Sequence, residues 1–199
     1  MVVTQVSYED YKNLFEKPWI VYNKADFNKL NESKVEKLYF LVFKSLNSNC
    51  ILGIIGGVRE NLFFCPFSAP FGFLAFHGDQ PDSNAVEELI VALEVFLMGE
   101  RIRGIDLALP PIFYNPNLVY FFSEILVKHN YIIKYTDINH HFELDKFGSN
   151  YVKIIERSAK KNLKKSLSSN LNFLVVNTDT DKEKSYEVIK KNRVSKGYE

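Results

Sequence analysis

Apolar positions in this chain come in short blocks, and the spacing inside the blocks changes along it. Residues 2–6 make one strand-sized block. Tyr8 to Phe15 has helical spacing, closed off by Pro18. Trp19 to Tyr22 is a short apolar piece before the polar, weakly periodic stretch Asn23 to Ser33. Three strand-like blocks follow closely: Lys37 to Ser45, Cys50 to Arg59, and Phe63 to Gly78. The turn residues Asn47-Ser-Asn49 and Glu60-Asn61 separate them, which predicts an antiparallel meander. Helical spacing returns from Asn84 to about Arg101, with Leu89, Ile90, Leu93, Phe96 and Leu97 on one face. Asn84 with Glu87 reads as its capping box. Ile105 to Leu109 is a strand ended by Pro110-Pro111, with Ile112 to Pro116 as its exit loop. Asn117 to Lys128 is a second helix, and Tyr131 to Tyr135 with Asn139 to Asp145 read as a closing strand pair. Beyond these the pattern predicts a helix over Tyr151 to Leu167, a strand over Leu171 to Val176 and a helix over Asp179 to Asn192.

The order is a strand meander, helix, strand, helix and strand pair. It predicts an α/β (α+β) fold with a mixed, mostly antiparallel sheet flanked by helices, because the helical crossovers require some parallel pairing. Within that order the block Phe63 to Gly78 stands apart. It holds six phenylalanines, and Pro66-Phe-Ser-Ala-Pro70 interrupts it. Proline cannot donate to a sheet ladder. A break in so apolar a strand leaves buried backbone groups that need other partners, and such breaks recur beside binding sites. Ligands in α/β sheets sit at the C-terminal ends of strands that diverge. The break and the exit loop Pro110 to Asn115 therefore border one crevice if their strands are neighbours.

Charge changes the domain picture. The 199 residues carry a net charge of +1, which steers the whole chain toward neither nucleic acid nor membrane. Residues 1–148 hold 13 Lys and Arg against 18 Asp and Glu, while residues 149–199 hold 12 against 6. A boundary near Phe147 to Asn150 follows, with a first domain over 1–148 and a basic helix-strand-helix over 149–199. A lone strand between two helices is not a domain, so that segment docks on the first domain or begins a second one. Cys50 and Cys65 lie in or beside apolar runs and read as buried thiols, with no disulfide framework and no metal-ligand spacing. The acidic N-terminus and the shortness of every apolar run predict a cytoplasmic protein with no membrane span.

Candidate chemistry is sparse. Tyr114 follows the strand exit, where it either bonds an acceptor or shuttles a proton, or caps the core with its hydroxyl in water. Ser68 has no base beside it in sequence and reads as a turn residue or hydrogen-bond donor. A Cys65–His77 dyad is disfavoured because a buried apolar thiol is inert. His140-His141 cannot share a metal, since adjacent strand residues point opposite ways. Arg157, Lys160, Lys161, Lys164 and Lys165 share one side of a helix, as a solvated face or as contacts to the phosphates of tRNA or of a nucleotide-linked acceptor. Asn192-Arg193 ends the last helix, where the arginine can orient a carboxylate or phosphate.

Four pieces together resemble the FemAB-like branch of the GNAT acyltransferases, which is built from two tandem GNAT-type units. They are Ser68-Ala-Pro-Phe-Gly72, Leu109-Pro-Pro-Ile-Phe-Tyr114, Arg157 to Lys165, and Asn192-Arg-Val-Ser-Lys-Gly-Tyr198. The resemblance covers the chain as roughly the first half of such a protein, with 149–199 as the start of an incomplete second unit. It implies transfer of an acyl or aminoacyl group to a small-molecule amine acceptor, with acyl-CoA or aminoacyl-tRNA as donor. Ser68, Phe71, Gly72, Tyr114, Asn192 and Arg193 would then touch substrate, and no catalytic side chain is assigned. Two departures shape the expectation. GNAT enzymes carry an Arg/Gln-x-x-Gly-x-Gly/Ala loop that cradles pyrophosphate, but Phe76 to Asn84 here holds one glycine, two acids and no arginine. Leu126 stands where many GNAT enzymes have a tyrosine acid. Residues 1–148 are thus expected to hold the acceptor and not CoA. The alternatives are a non-catalytic module for a small polar ligand or peptide, and a tRNA-binding domain using the basic helix.

Overall fold

The computed structural model describes residues 2–44, 50–141, 145 and 150–198. It divides into two compact units, residues 1–139 and 140–199. The expected turn at Asn47 to Asn49, the middle of the second closing strand (residues 142–144) and the Phe147 to Ser149 junction lie outside the described residues.

The first unit is built on a mixed, open and mostly antiparallel sheet with helices on both faces. In chain order it runs β1 (Val2–Gln5), α1 (Tyr8–Leu14), α2 (Ala25–Leu30), β2 (Lys37–Lys44), β3 (Ile51–Arg59), β4 (Leu62–Cys65), β5 (Ala75–His77), α3 (Ser83–Gly99), β6 (Gly104–Leu107) and α4 (Pro116–Lys128). The sheet order is β1-β2-β3-β4-β6, and β5 also pairs with β3. Among the described residues only β4 and β6 pair in parallel, joined by the α3 crossover. Alternation along β2 and β3 sends side chains to two cores. Tyr39, Leu41, Phe43, Leu52 and Ile54 meet Val86, Leu89, Leu93 and Phe122 of α3 and α4. Phe40 and Ile55 meet Tyr11 and Phe15 at α1 on the other face. Burial on both faces explains why β3 reads as one apolar run.

Several elements differ from expectation. Asp82, not Asn84, caps α3, its Oδ1 accepting from Ala85 N at 2.8 Å. The turn at residues 129–131 closes α4: Asn130 has φ 65° and Tyr131 N donates to Leu126 O. Residues 131–141 then run outside any ladder, so the first closing strand does not form. Tyr131 packs on the core and Lys134 pairs with Asp106 on β6 at 2.6 Å, yet Ile132, Ile133 and Tyr135 are exposed. A strand needs a bonded neighbour, and none pairs there among the described residues.

In the second unit the helix expected over Tyr151 to Leu167 is broken into α5 (Tyr151–Ile154) and α6 (Arg157–Ser168). Ile155 turns extended at ψ 150° between them. Leu171 to Val176 is unpaired and exposed, so no strand forms among the described residues of that unit. The last helix, α7 (Asp179–Ser195), is capped by Thr178, whose side chain accepts from Asp181 N.

One polar cluster ties α3 to the sheet. Buried Tyr39 donates to Glu100 Oε2 at 2.6 Å, and Lys37 Nζ reaches the same oxygen at 2.7 Å. Lys37 first and Tyr39 second hold the Glu100 carboxyl below its ordinary range. A depressed folded value means that this stabilisation is complete above the ordinary glutamate value and drains away as the pH falls through the folded one. Tyr39→Phe should lower the unfolding free energy by about 1.5–3 kcal/mol, since it removes a hydrogen bond to a charged group. Urea denaturation reads it as a lower midpoint at unchanged slope. Glu100→Gln should remove this group's share of the acid-side loss of stability.

Candidate functional site

The expected break exists, and it is an excursion of residues 66–74 out of one interrupted strand. β4 and β5 lie on the same side of β3 and run in the same direction, β4 opposite Gly57 to Arg59 and β5 opposite Ile51 to Gly53. The second apolar piece rejoins the sheet at Ala75 instead of Phe71, because residues 71–74 are tied elsewhere. Gly72 N donates to Ala108 O at 2.9 Å, just past β6. Cys65 Sγ donates to Phe73 O at 3.4 Å. Leu74 O accepts from both Trp19 Nε1 at 2.6 Å and Asn23 Nδ2 at 2.8 Å. Ser68 Oγ donates to Asn31 Oδ1 at 2.9 Å and accepts from Lys34 Nζ at 2.7 Å.

These tethers hold a strained backbone. Phe73 has φ 128°, a conformation that costs a non-glycine residue about 1–3 kcal/mol and persists only where its surroundings over-determine it. Here its fully buried ring packs edge-on against Phe122 at 5.2 Å, and its neighbours on both sides are hydrogen-bonded. A side chain at Gly72 would be tight: a Cβ would stand 3.2 Å from Asn23 Oδ1 and 3.3 Å from Pro66.

The break and the exit loop do border one another. β4 and β6 are neighbours, and the rings of Phe71 and Tyr114 lie 5.2 Å apart where the two strands end. The contact continues on both sides. Phe71 meets Tyr22 at 5.2 Å, Tyr22 meets Phe27 at 5.3 Å, and Tyr114 stacks on Phe113 at 5.1 Å. Five rings from four separate segments thus form one stripe. Tyr114 and Phe113 are each more than two-fifths exposed, so the stripe meets solvent at the exit-loop end.

Of the sequence-predicted residues, the fold brings Phe71, Gly72 and Tyr114 together. Ser68 sits on the same excursion, but Asn31 and Lys34 occupy its hydroxyl, and no base activates it. Cys65 is fully buried, and burial pushes its thiol up to about 12, which leaves no thiolate for a dyad with the exposed His77. Cys50 is buried as expected, its thiol pushed up to about 11. In the loop where a GNAT enzyme would cradle pyrophosphate, Asp82 places a carboxylate at the α3 N-terminus. Arg157, Lys160, Lys161, Lys164 and Lys165 lie on α6, and no ion pair neutralises any of the five among the described residues. Lys160 Nζ donates to Lys153 O at 3.1 Å. Asn192 and Arg193 lie on α7, with Arg193 over the Tyr198 ring at 5.5 Å. Trp19, Tyr22, Asn23, Phe27 and Phe113 escaped the sequence reading. The one signal for them was the aromatic content of Trp19 to Tyr22, set just before a polar stretch.

Asn23 carries a consequence for stability, since it is buried and donates to a buried carbonyl. Asn23→Ala should cost about 1–3 kcal/mol in urea denaturation. Trp19→Phe, which removes the other donor to Leu74 O and leaves a smaller aromatic ring, should cost at least a similar amount. No protein-family model matches the chain, and no curated protein or solved structure matches it either.

Proposed function

We propose that this chain provides the acceptor-binding side of an acyl or aminoacyl transfer to an amine, in the manner of a FemAB-like protein. The observation that carries the reading is the meeting of Phe71 and Tyr114 where parallel β4 and β6 end, the position at which α/β sheets receive ligands. Phe71 and Gly72 belong to one family-like motif and Tyr114 to another, and they are distant in sequence. Aromatic faces bury the apolar parts of an acceptor, and the Tyr114 hydroxyl and nearby backbone groups offer it hydrogen bonds. Transfer from an activated ester or thioester asks mainly that acceptor and donor be held in line and that the developing oxyanion be stabilised. A site without a nucleophile–base pair suits that role.

The donor belongs elsewhere in this reading. Asp82 already occupies an α3 N-terminal amide and adds negative charge where a diphosphate would sit. Isothermal titration of the full chain with amino sugars and amine-bearing peptides should give saturable binding to at least one class, and none to acyl-CoA. Phe71→Ala and Tyr114→Ala should each weaken that binding about tenfold or more, which is 1.4 kcal/mol or more. Their rings are half-buried or exposed, so far-ultraviolet circular dichroism should stay unchanged. Binding that both substitutions leave intact, or robust acyl-CoA turnover by the chain alone, would overturn the reading.

The unneutralised cations of α6 favour a second reading, a nucleic-acid contact in the second unit. It expects tRNA affinity to fall with salt, with a log–log slope of about −0.7 to −0.9 per phosphate contacted. Salt-independent or absent tRNA binding would exclude it.

A further inference from the structure

The break leaves one peptide of β3 without a ladder partner. Val6 N donates to Phe40 O, so Phe40 directs its main-chain groups toward β1. Hydrogen-bonding direction alternates along an antiparallel strand. Tyr39 and Leu41 therefore serve β3, where they stand opposite Gly56 and Ile54 in an unbroken register. Ile55, between those two, turns its N–H and C=O the other way, toward the β4–β5 side. There β4's register, continued, would place Pro66 opposite Ile55, and β5's would place Phe73. Proline has no N–H to give to the Ile55 carbonyl, and no main-chain bond joins Ile55 to Pro66 or Phe73. Neither β4 nor β5 pairs with Ile55, and no main-chain bond outside the ladders reaches it among the described residues, although it is 5% exposed.

A second buried polar group lies at the same place without a partner. The Tyr11 hydroxyl bonds nothing among the described residues, and Tyr11 is 1% exposed. It stands over Gly53, where a Cβ would come within 2.6 Å of it. Gly53 and Ile55 share that face of β3, and Gly53 pairs with Ala75, the first residue after the excursion. Burial pushes the Tyr11 phenol well above its ordinary value. The hydroxyl thus sits at Gly53, where the interrupted strand rejoins β3, two residues from Ile55. Buried donors and acceptors without protein partners are satisfied by ordered water in folded proteins.

We propose that an ordered water molecule is bound in the break, with Ile55 N–H, Ile55 C=O and the Tyr11 hydroxyl as its partners. Three partners are the usual number for an internal water. The ladder is intact at Gly53 and at Gly57, so one peptide's worth of pairing is missing, which suits water and excludes a larger ligand. The water would complete the edge of β3 behind Phe71 and Gly72 independently of what the crevice binds.

Two measurements on the full chain test this. The Ile55 amide proton should show a water cross-peak in rotating-frame Overhauser spectra, from a water that stays longer than surface hydration does. Tyr11→Phe should lower Tm by about 2–4 °C, because it takes one partner from the bound water. A hydroxyl that truly bonds nothing would give the opposite sign, since its removal would then relieve a buried unsatisfied group. Absence of the cross-peak, or a raised or unchanged Tm in Tyr11→Phe, would each overturn the proposal.

Discussion

The pairing of β3 with a strand delivered in two pieces is the constraint on which the rest of the first unit depends. β3 is central to the sheet and buried on both faces, so its edge toward β4 and β5 must be completed. β4 completes one end and β5 the other, and the residues between them are free of the ladder. That freedom lets residues 66–74 leave the sheet plane, contribute Phe67 to one core and Phe73 with Leu74 to the other, and still return. The meeting of Phe71 and Tyr114 is a by-product of the same arrangement. β6 pairs with β4, and just past Leu107 the chain passes from β4 to the excursion: Ala108 N donates to Cys65 O and Ala108 O accepts from Gly72 N. The rings of Phe71 and Tyr114 gather where that pairing stops.

Strain and clamping belong together here. Phe73 adopts a backbone conformation that its side chain disfavours, and the surrounding contacts are numerous enough to enforce it. Trp19 and Asn23 hold the next carbonyl, Cys65 holds its own, and Phe122 fixes its ring. A stretch with two prolines and one glycine would otherwise sample many shapes. Anchored in this way, it presents Phe71 at a fixed position against Tyr22 and Tyr114, which is what a binding surface needs if affinity is not to be spent on ordering a loop.

Local pattern made much of this legible. The periods of Tyr8 to Phe15, Asn84 to Arg101 and Asn117 to Lys128 gave helices close to those observed, because each must bury one face. The prolines at 66, 70, 110 and 111 marked where strands stop, and so pointed to Phe71 and Tyr114 before their contact was known. Long-range effects were not legible. Trp19 and Asn23 bond a carbonyl 55 and 51 residues away, and nothing near them in sequence announces it. Tyr131 to Tyr135 and Leu171 to Val176 have strand composition, but composition cannot supply a neighbour with which to pair. The break at Ile155 and Glu156 carries neither proline nor glycine, and the basic period continues on its far side.

The two registers on β3 also govern how this protein can change length. β4's register, extended, would set Ser68 opposite Gly53, but Ala75 stands there, seven residues later. The excursion absorbs that odd offset off the sheet, so Ala75 still faces α1 while Phe76 faces α3 and α4. Insertions or deletions between Pro66 and Pro70 can therefore be absorbed while the clamps at Gly72 to Leu74 hold. A slip of β5 by a single residue cannot, since it would turn Phe76 out of one core and press it into the other. Length variation in this region should thus gather on the Ser68 side of the excursion and spare the Leu74 side.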